Sequence, residues 1–297
     1  MKNILYISIF LLSTMLISCG TTKKTALTMT HDDMAQLAID SNNFEQAITE
    51  WNLLISDNKT KGIETEGETY AKLGKAYTAL EQYEKAEAAF DIARNKNYGD
   101  DEMYVLMSKR YRNIDNLSKE IKTLKYYNDH YSQYADSSLM RNRLFVTYIE
   151  SENWPLAEEI WQQMDEPSKA KEEYLEKYLF LNKKTDQKKK CDKIALQLLQ
   201  VNSNNIAALE WLAKKYYNRA EDRYQKAMAA YNKNKTNKQY QILLKELNRV
   251  TTDFKLSLNY FNPLWEMDKK YAPYMANIYA RFDDKKKSQY YKSFIKK

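Results

Sequence analysis

Glycine and proline are scarce, with 5 and 4 copies in 297 residues. Sandwiches, barrels and doubly wound sheets turn on those residues, so their scarcity argues against all three. Cysteine and histidine occur twice each, as Cys19, Cys191, His31 and His130, which leaves little from which to build a metal centre. The chain has no Cys-x-x-Cys, no Gly-rich phosphate loop and no serine, histidine and acid arrangement, so neither a cofactor nor catalysis is expected. What is present is 43% hydrophobic and 29% charged residues, the balance of a folded chain. The expectation is a predominantly helical protein.

The one long apolar run lies at the start. Lys2 precedes Ile4 to Ile17, interrupted only by Ser8, Ser13 and Thr14. It is shorter than the roughly 20 residues of a spanning helix and has the length and flank of a secretory signal core. It ends in Leu16-Ile17-Ser18-Cys19-Gly20. That junction resembles the lipobox of bacterial lipoproteins, which implies lipidation of Cys19 and cleavage before it. Residues 1–18 are then a signal peptide and 19–30 a lipidated tether. Gly20 is not the aspartate that holds such proteins at the inner membrane. Thr21-Thr22-Lys23-Lys24 lacks the acidic stretch of surface-exported ones. The resemblance therefore implies an outer-membrane anchor facing the periplasm.

The remainder repeats. Tyr70-x2-Leu73-Gly74-x2-Tyr77 is followed by Ala86-x3-Phe90. This is similar to the tetratricopeptide repeat, a unit of about 34 residues folded as two antiparallel helices. Gly74 and Ala86 are small where two helices cross, and Leu73, Tyr77 and Phe90 fill the surrounding space. Tyr77, Tyr111, Tyr148, Asn182 and Tyr216 continue one column. Ala47, Ala86, Ala157 and Cys191 continue the small crossing position, which marks Cys191 for core packing rather than reactivity. Frames beginning near Thr28, Gly67, Asp101, Ser138, Glu172 and Ile206 tile the chain. Glu120 stands where alanine is expected, and a second helix in the sixth repeat is expected late, around Tyr224, Ala227 and Tyr231. Residues 232–238 read as a polar connector, and 231–297 as an elongated, divergent C-terminal repeat. The resemblance implies an all-α fold, a right-handed α-solenoid of six to seven helix pairs over residues 31–297.

A solenoid of this kind presents a concave groove. Lys75, Lys109 and Lys214 recur at a position that the family turns toward that groove. Arg112 lies one turn beyond Lys109, and Tyr217 follows the core residue Tyr216 on the groove face. Charge is uneven as well. Residues 31–100 hold 14 acids against 7 Lys or Arg, net −7, whereas 233–297 hold 15 Lys or Arg against 6 acids, net +9. Lys285, Lys286 and Lys287 stand together in the basic end. An exported protein meets little nucleic acid, so the expected partner is an envelope protein with an acidic surface or peptide, and neither a nucleic acid nor a small-molecule substrate. The expected function is a lipid-anchored scaffold for protein–protein interaction. It resembles, in signal plus repeats, the lipoprotein subunits of outer-membrane assembly and secretion machines. The alternative is an adaptor for peptidoglycan or a wall enzyme, with an enzyme of unrecognised site behind both.

Overall fold

The computed structural model describes residues 29–295. The apolar run, Cys19 and the start of the tether lie outside these residues. The described chain is all-α, and its helices pair in order. The pairs are α1 (His31–Asp40) with α2 (Phe44–Lys61), α3 (Gly67–Ala79) with α4 (Tyr83–Asn95), and α5 (Asp101–Asn113) with α6 (Leu117–His130). Next come α7 (Ser137–Glu150) with α8 (Trp154–Gln163), a single turn α9 (Glu166–Lys169), and α10 (Glu172–Lys184) with α11 (Lys188–Val201). The array closes with two long helices, α12 (Ile206–Lys233) and α13 (Asn237–Met267), then α14 (Ala272–Arg281) with α15 (Lys285–Lys292). These are seven helix pairs. Three adjoining cores run along them: Tyr77 packs on the first and second, and Tyr260 on the second and third.

Six of the seven hairpins share one turn. Its middle residue is left-handed: Asn42, Glu81, Asp115, Glu152, Asp186 and Asp283, with φ between 51° and 58°. The next residue donates its N–H back across the turn, as in Gln82 to Tyr77, Asn116 to Tyr111, Asn153 to Tyr148 and Gln187 to Asn182. This closes the helix end in a Schellman motif. The tyrosine column of the sequence is thus also the row of carbonyls on which the turns close.

The seventh hairpin differs, and the sequence expectation there is corrected. Tyr224, Ala227 and Tyr231 belong to the same helix as Trp211, because α12 does not turn after Tyr216. The position four residues beyond Tyr216 is Ala220, where the other repeats have Asn, Asp or Glu. Alanine in a left-handed conformation costs about 1–2 kcal/mol, and in a helix it is the best residue available. Ala213, Ala220 and Ala227 instead fall seven apart and buried, facing Leu243, Val250, Ser257 and Leu264, also seven apart and buried. Alanines at a heptad spacing on α12 let the two antiparallel helices pack closely along their length, with the Ser257 hydroxyl donating to the Ala213 carbonyl at 2.9 Å. Elongation therefore begins at residue 206, and region 231–297 contains α13 plus a complete further pair.

The crossings follow the expected rule. A Cβ on Gly74 would lie 2.5 Å from the Phe90 ring, and one on Gly67 would lie 2.5 Å from Tyr98 Cβ. Cys191 is fully buried, and that burial raises its thiol pKa. Glu120 keeps the crossing position as a buried carboxylate, held by Arg143 Nε at 2.6 Å. Thr30 caps α1, in a capping box with Asp33. Asp32 accepts the Trp51 indole N–H at 2.8 Å. Asp100 and Asp284 cap α5 and α15.

Candidate functional site

The first helices of the first three pairs together line a depression of about 640 Å³. Each helix contributes residues three apart on one face: Gln36 and Ile39 from α1, Lys72 and Lys75 from α3, and Leu106 and Lys109 from α5. Trp51 and Phe44 of α2 extend the apolar part. The helix period alone puts residues at i and i+3 on one face, and the stacking of the pairs aligns the three faces.

The cations in this depression are not equivalent. Lys72 lies 3.3 Å from Asp32 and 3.1 Å from Glu68. Lys75 lies 2.9 Å from Asp100 and 2.8 Å from Glu102. Burial works against the Lys75 ammonium, but the bonds and charges of Glu102 and Asp100 outweigh it and raise the pKa above the ordinary lysine value. Both lysines are thereby charged and already neutralised. Lys109 is exposed and has no acidic partner among the described residues. Beside it Arg110 stacks on the Tyr83 ring at 4.5 Å, while its Nε–H lacks a hydrogen-bond partner among the described residues. Tyr83, Arg110 and Lys72 were not singled out by the sequence. The signal available was the position one turn before Lys75, or one residue after Lys109.

The other residues expected at a groove are placed elsewhere. Arg112 points to α7, donating to Glu150 through Nη1 at 2.6 Å and Nη2 at 3.0 Å. The Glu150 bond and charge raise its pKa. Lys214 pairs along its own helix with Glu210 at 2.9 Å. Tyr217 is not a groove residue. Its ring meets Phe254, Phe261 and Tyr274 edge-on, and its hydroxyl accepts from Asn277. The reason is the absent turn, since α12 runs on and buries that face against α13 and α14. Lys285 and Lys286 are exposed at the start of α15, and Lys287 pairs loosely with Asp284 at 3.6 Å. The structure therefore brings together Lys75 and Lys109 and does not bring Arg112, Lys214, Tyr217 or the α15 lysines to them.

No protein-family model matches this chain, and no curated protein does. Solved structures do resemble it. The C-terminal part of a TPR repeat-containing protein from Cytophaga hutchinsonii is 15% identical, with 88% of this chain and 92% of that one covered at a TM-score of 0.48. A protein from Bacteroides ovatus, proposed to bind proteins, is 16% identical, with 86% and 99% covered at 0.47. A TPR repeats protein from Bacteroides fragilis is 16% identical, with 86% and 96% covered at 0.35. Likeness at this level carries no argument about function. The fold class stands on the chain's own seven helix pairs and the turn that six of them share: an all-α solenoid of helix hairpins.

Proposed function

We propose that the chain is a binding scaffold whose groove over the first three helix pairs takes an extended segment of a partner protein. One observation carries the reading. Lys109 is the groove lysine without an acidic partner among the described residues, and it lines the same depression as the apolar Leu106 and Ile39. An acidic side chain flanked by apolar ones complements that arrangement, and a desolvated pair there fixes register more than it adds affinity. Lys75 shapes the site from within its own ion pairs. The lipobox-like junction at Cys19 supports an outer-membrane anchor facing the periplasm. The exposed Lys285, Lys286 and Lys287 supply a second, distal attraction for acidic partners in the envelope.

The test is in-cell photo-crosslinking from position 109, read by mass spectrometry, with position 285 as comparison. The reading expects a protein adduct from 109 that Leu106→Arg abolishes. An adduct set identical at both positions and indifferent to Leu106→Arg overturns the groove. The anchor is tested separately. Cys19→Ala should leave the detergent phase of a phase partition, and a mature variant that stays there sinks that part alone.

A further inference from the structure

Past its last cross-contacts, the α12–α13 pair continues alone. Arg281 of α14 stacks on Tyr224 at 4.0 Å and pairs with Glu221 at 2.9 Å. Beyond that level the ion pairs, hydrogen bonds and ring contacts of residues 225–245 stay within the pair, as in Lys226 with Asp222 and Tyr231 with Tyr240. Nine residues on each helix project, which at the helical rise is about 14 Å. The stem of this arm is sound, because Ala227 and Leu243 continue the buried seam. Its surface is unusual. Residues 226–245 hold five lysines and no acid. All five are exposed, and Lys233, Lys235, Lys238 and Lys245 have no ion-pair partner among the described residues. Tyr240, Ile242 and Leu244 are 44%, 44% and 38% exposed on the same short stretch.

We propose that this arm is a contact for an anionic bilayer surface, its lysines against lipid phosphates and Tyr240 at the headgroup level. The charge is complementary to such a surface, since unopposed lysines near it each improve partitioning by a factor of about five. Shape decides between a membrane and an acidic protein. By helix period, Tyr240 and Leu244 lie on one flank of the Leu243 seam and Ile242 on the other. A rigid partner covering one flank leaves the other bare, whereas a fluid surface met end-on receives both flanks and all the lysines. Tyrosine, with an apolar ring and a polar tip, is the residue that prefers this depth. The contact is independent of Cys19 and of the groove.

The test is flotation of Gly20–Lys297, which carries every described helix and all three cores, with vesicles of phosphatidylcholine containing about one third phosphatidylglycerol. Wild type should float with these and not with phosphatidylcholine alone, and added salt should release it, because screening shortens the reach of exposed charges. Lys233→Glu with Lys235→Glu and Lys238→Glu should lower the partition coefficient by more than about a hundredfold. These side chains bond to nothing, so unchanged circular dichroism verifies the fold. The same three-charge reversal at Lys285, Lys286 and Lys287 should lower it by less than about tenfold, through long-range attraction only. Ile242→Ser with Leu244→Ser should weaken binding while leaving its salt dependence intact. Wild type that stays with the soluble fraction overturns the proposal, as does equal loss from the two reversals. Retention on an immobilised acidic polypeptide without flotation would reassign the arm to a protein and equally overturn it.

Discussion

Removing the two members of one buried ion pair should have unequal effects. Glu120 sits at a helix crossing with its side chain 2% exposed, while Arg143 is 26% exposed. The pair belongs to a group of four, closed by Glu150 and Arg112, in which two carboxylates face two guanidiniums. Burial pushes the Glu150 carboxyl up, but the Arg112 bond and the Arg143 and Arg112 charges outweigh it and hold it below the ordinary range. Arg143→Met leaves Glu120 buried with only Arg112 at 3.9 Å. Breaking a buried pair so that a charge is stranded costs about 3–5 kcal/mol, and the remaining arginine puts this case near about 3.

Glu120→Ala removes the buried charge itself. Arg143 still reaches Glu150 at 3.3 Å and meets water, and alanine is what Ala47, Ala86 and Ala157 supply at the same crossing. The remaining cost is a small void and one lost bond, about 1 kcal/mol. The double variant should be no worse than Arg143→Met, so the pair couples by at least about 1 kcal/mol. Urea unfolding followed by circular dichroism reads this as a midpoint difference of about 1 M between the single variants, with the slope unchanged. Both residues lie in one neighbourhood of the array, so the same cooperative unit is compared. If Glu120→Ala costs as much as Arg143→Met, the carboxylate is a net stabiliser and the reasoning fails.

Three further outcomes follow from local geometry. Gly74→Ala should lower the melting temperature despite a better helix propensity, because its Cβ would meet the Phe90 ring at 2.5 Å; overpacking of about 1–3 kcal/mol exceeds a gain of about 1, and Phe90→Leu in the same chain should restore part of it. Glu81→Gly and Glu152→Gly should each stabilise by about 0.5–1 kcal/mol in denaturant melts, since both hold φ near 55° where a side chain is strained. Asp165 caps α9, and hydrogen bonds from the Ser138 hydroxyl and the Ser168 N–H lower its pKa from 3.8 to about 2. A depressed carboxyl stabilises the fold above its unfolded pKa, near about 4, and loses that contribution as pH falls toward the folded value. The urea midpoints of wild type and Asp165→Asn should therefore differ at neutral pH and converge in acid.

The repeat frame was legible because its determinants are steric and periodic. Frame starts expected at Gly67, Asp101, Glu172 and Ile206 are the first residues of α3, α5, α10 and α12, and Ser138 is one residue past the start of α7. Small residues at crossings and a tyrosine column recur about one helix pair apart, and together they mark where each pair begins. The turns were less legible, since left-handed residues are sought as glycine and here are Asn, Asp and Glu. Once their register is known, the missing turn after Tyr216 is written in Ala220. Tyr217 was misplaced for the same reason, as a groove position exists only if the helix ends on time.

Charge was the least legible property, because the partner of a lysine in a solenoid sits on a neighbouring helix. Lys75 finds Asp100 and Glu102 on α5, and Arg112 finds Glu150 on α7. Such pairs join residues about one repeat apart and leave no trace in a helix period. A run of lysines can therefore be silent, and a lone one available. The arm of α12 and α13 is the case where sequence and space agree: five lysines without an acid in the segment, on helices that project past the neighbours that would supply one. The missing turn at Ala220 lengthens α12, and the projecting length keeps four of those lysines, all but Lys226, unpaired among the described residues. A backbone preference at one alanine thus carries these lysines past the helices that would otherwise pair them.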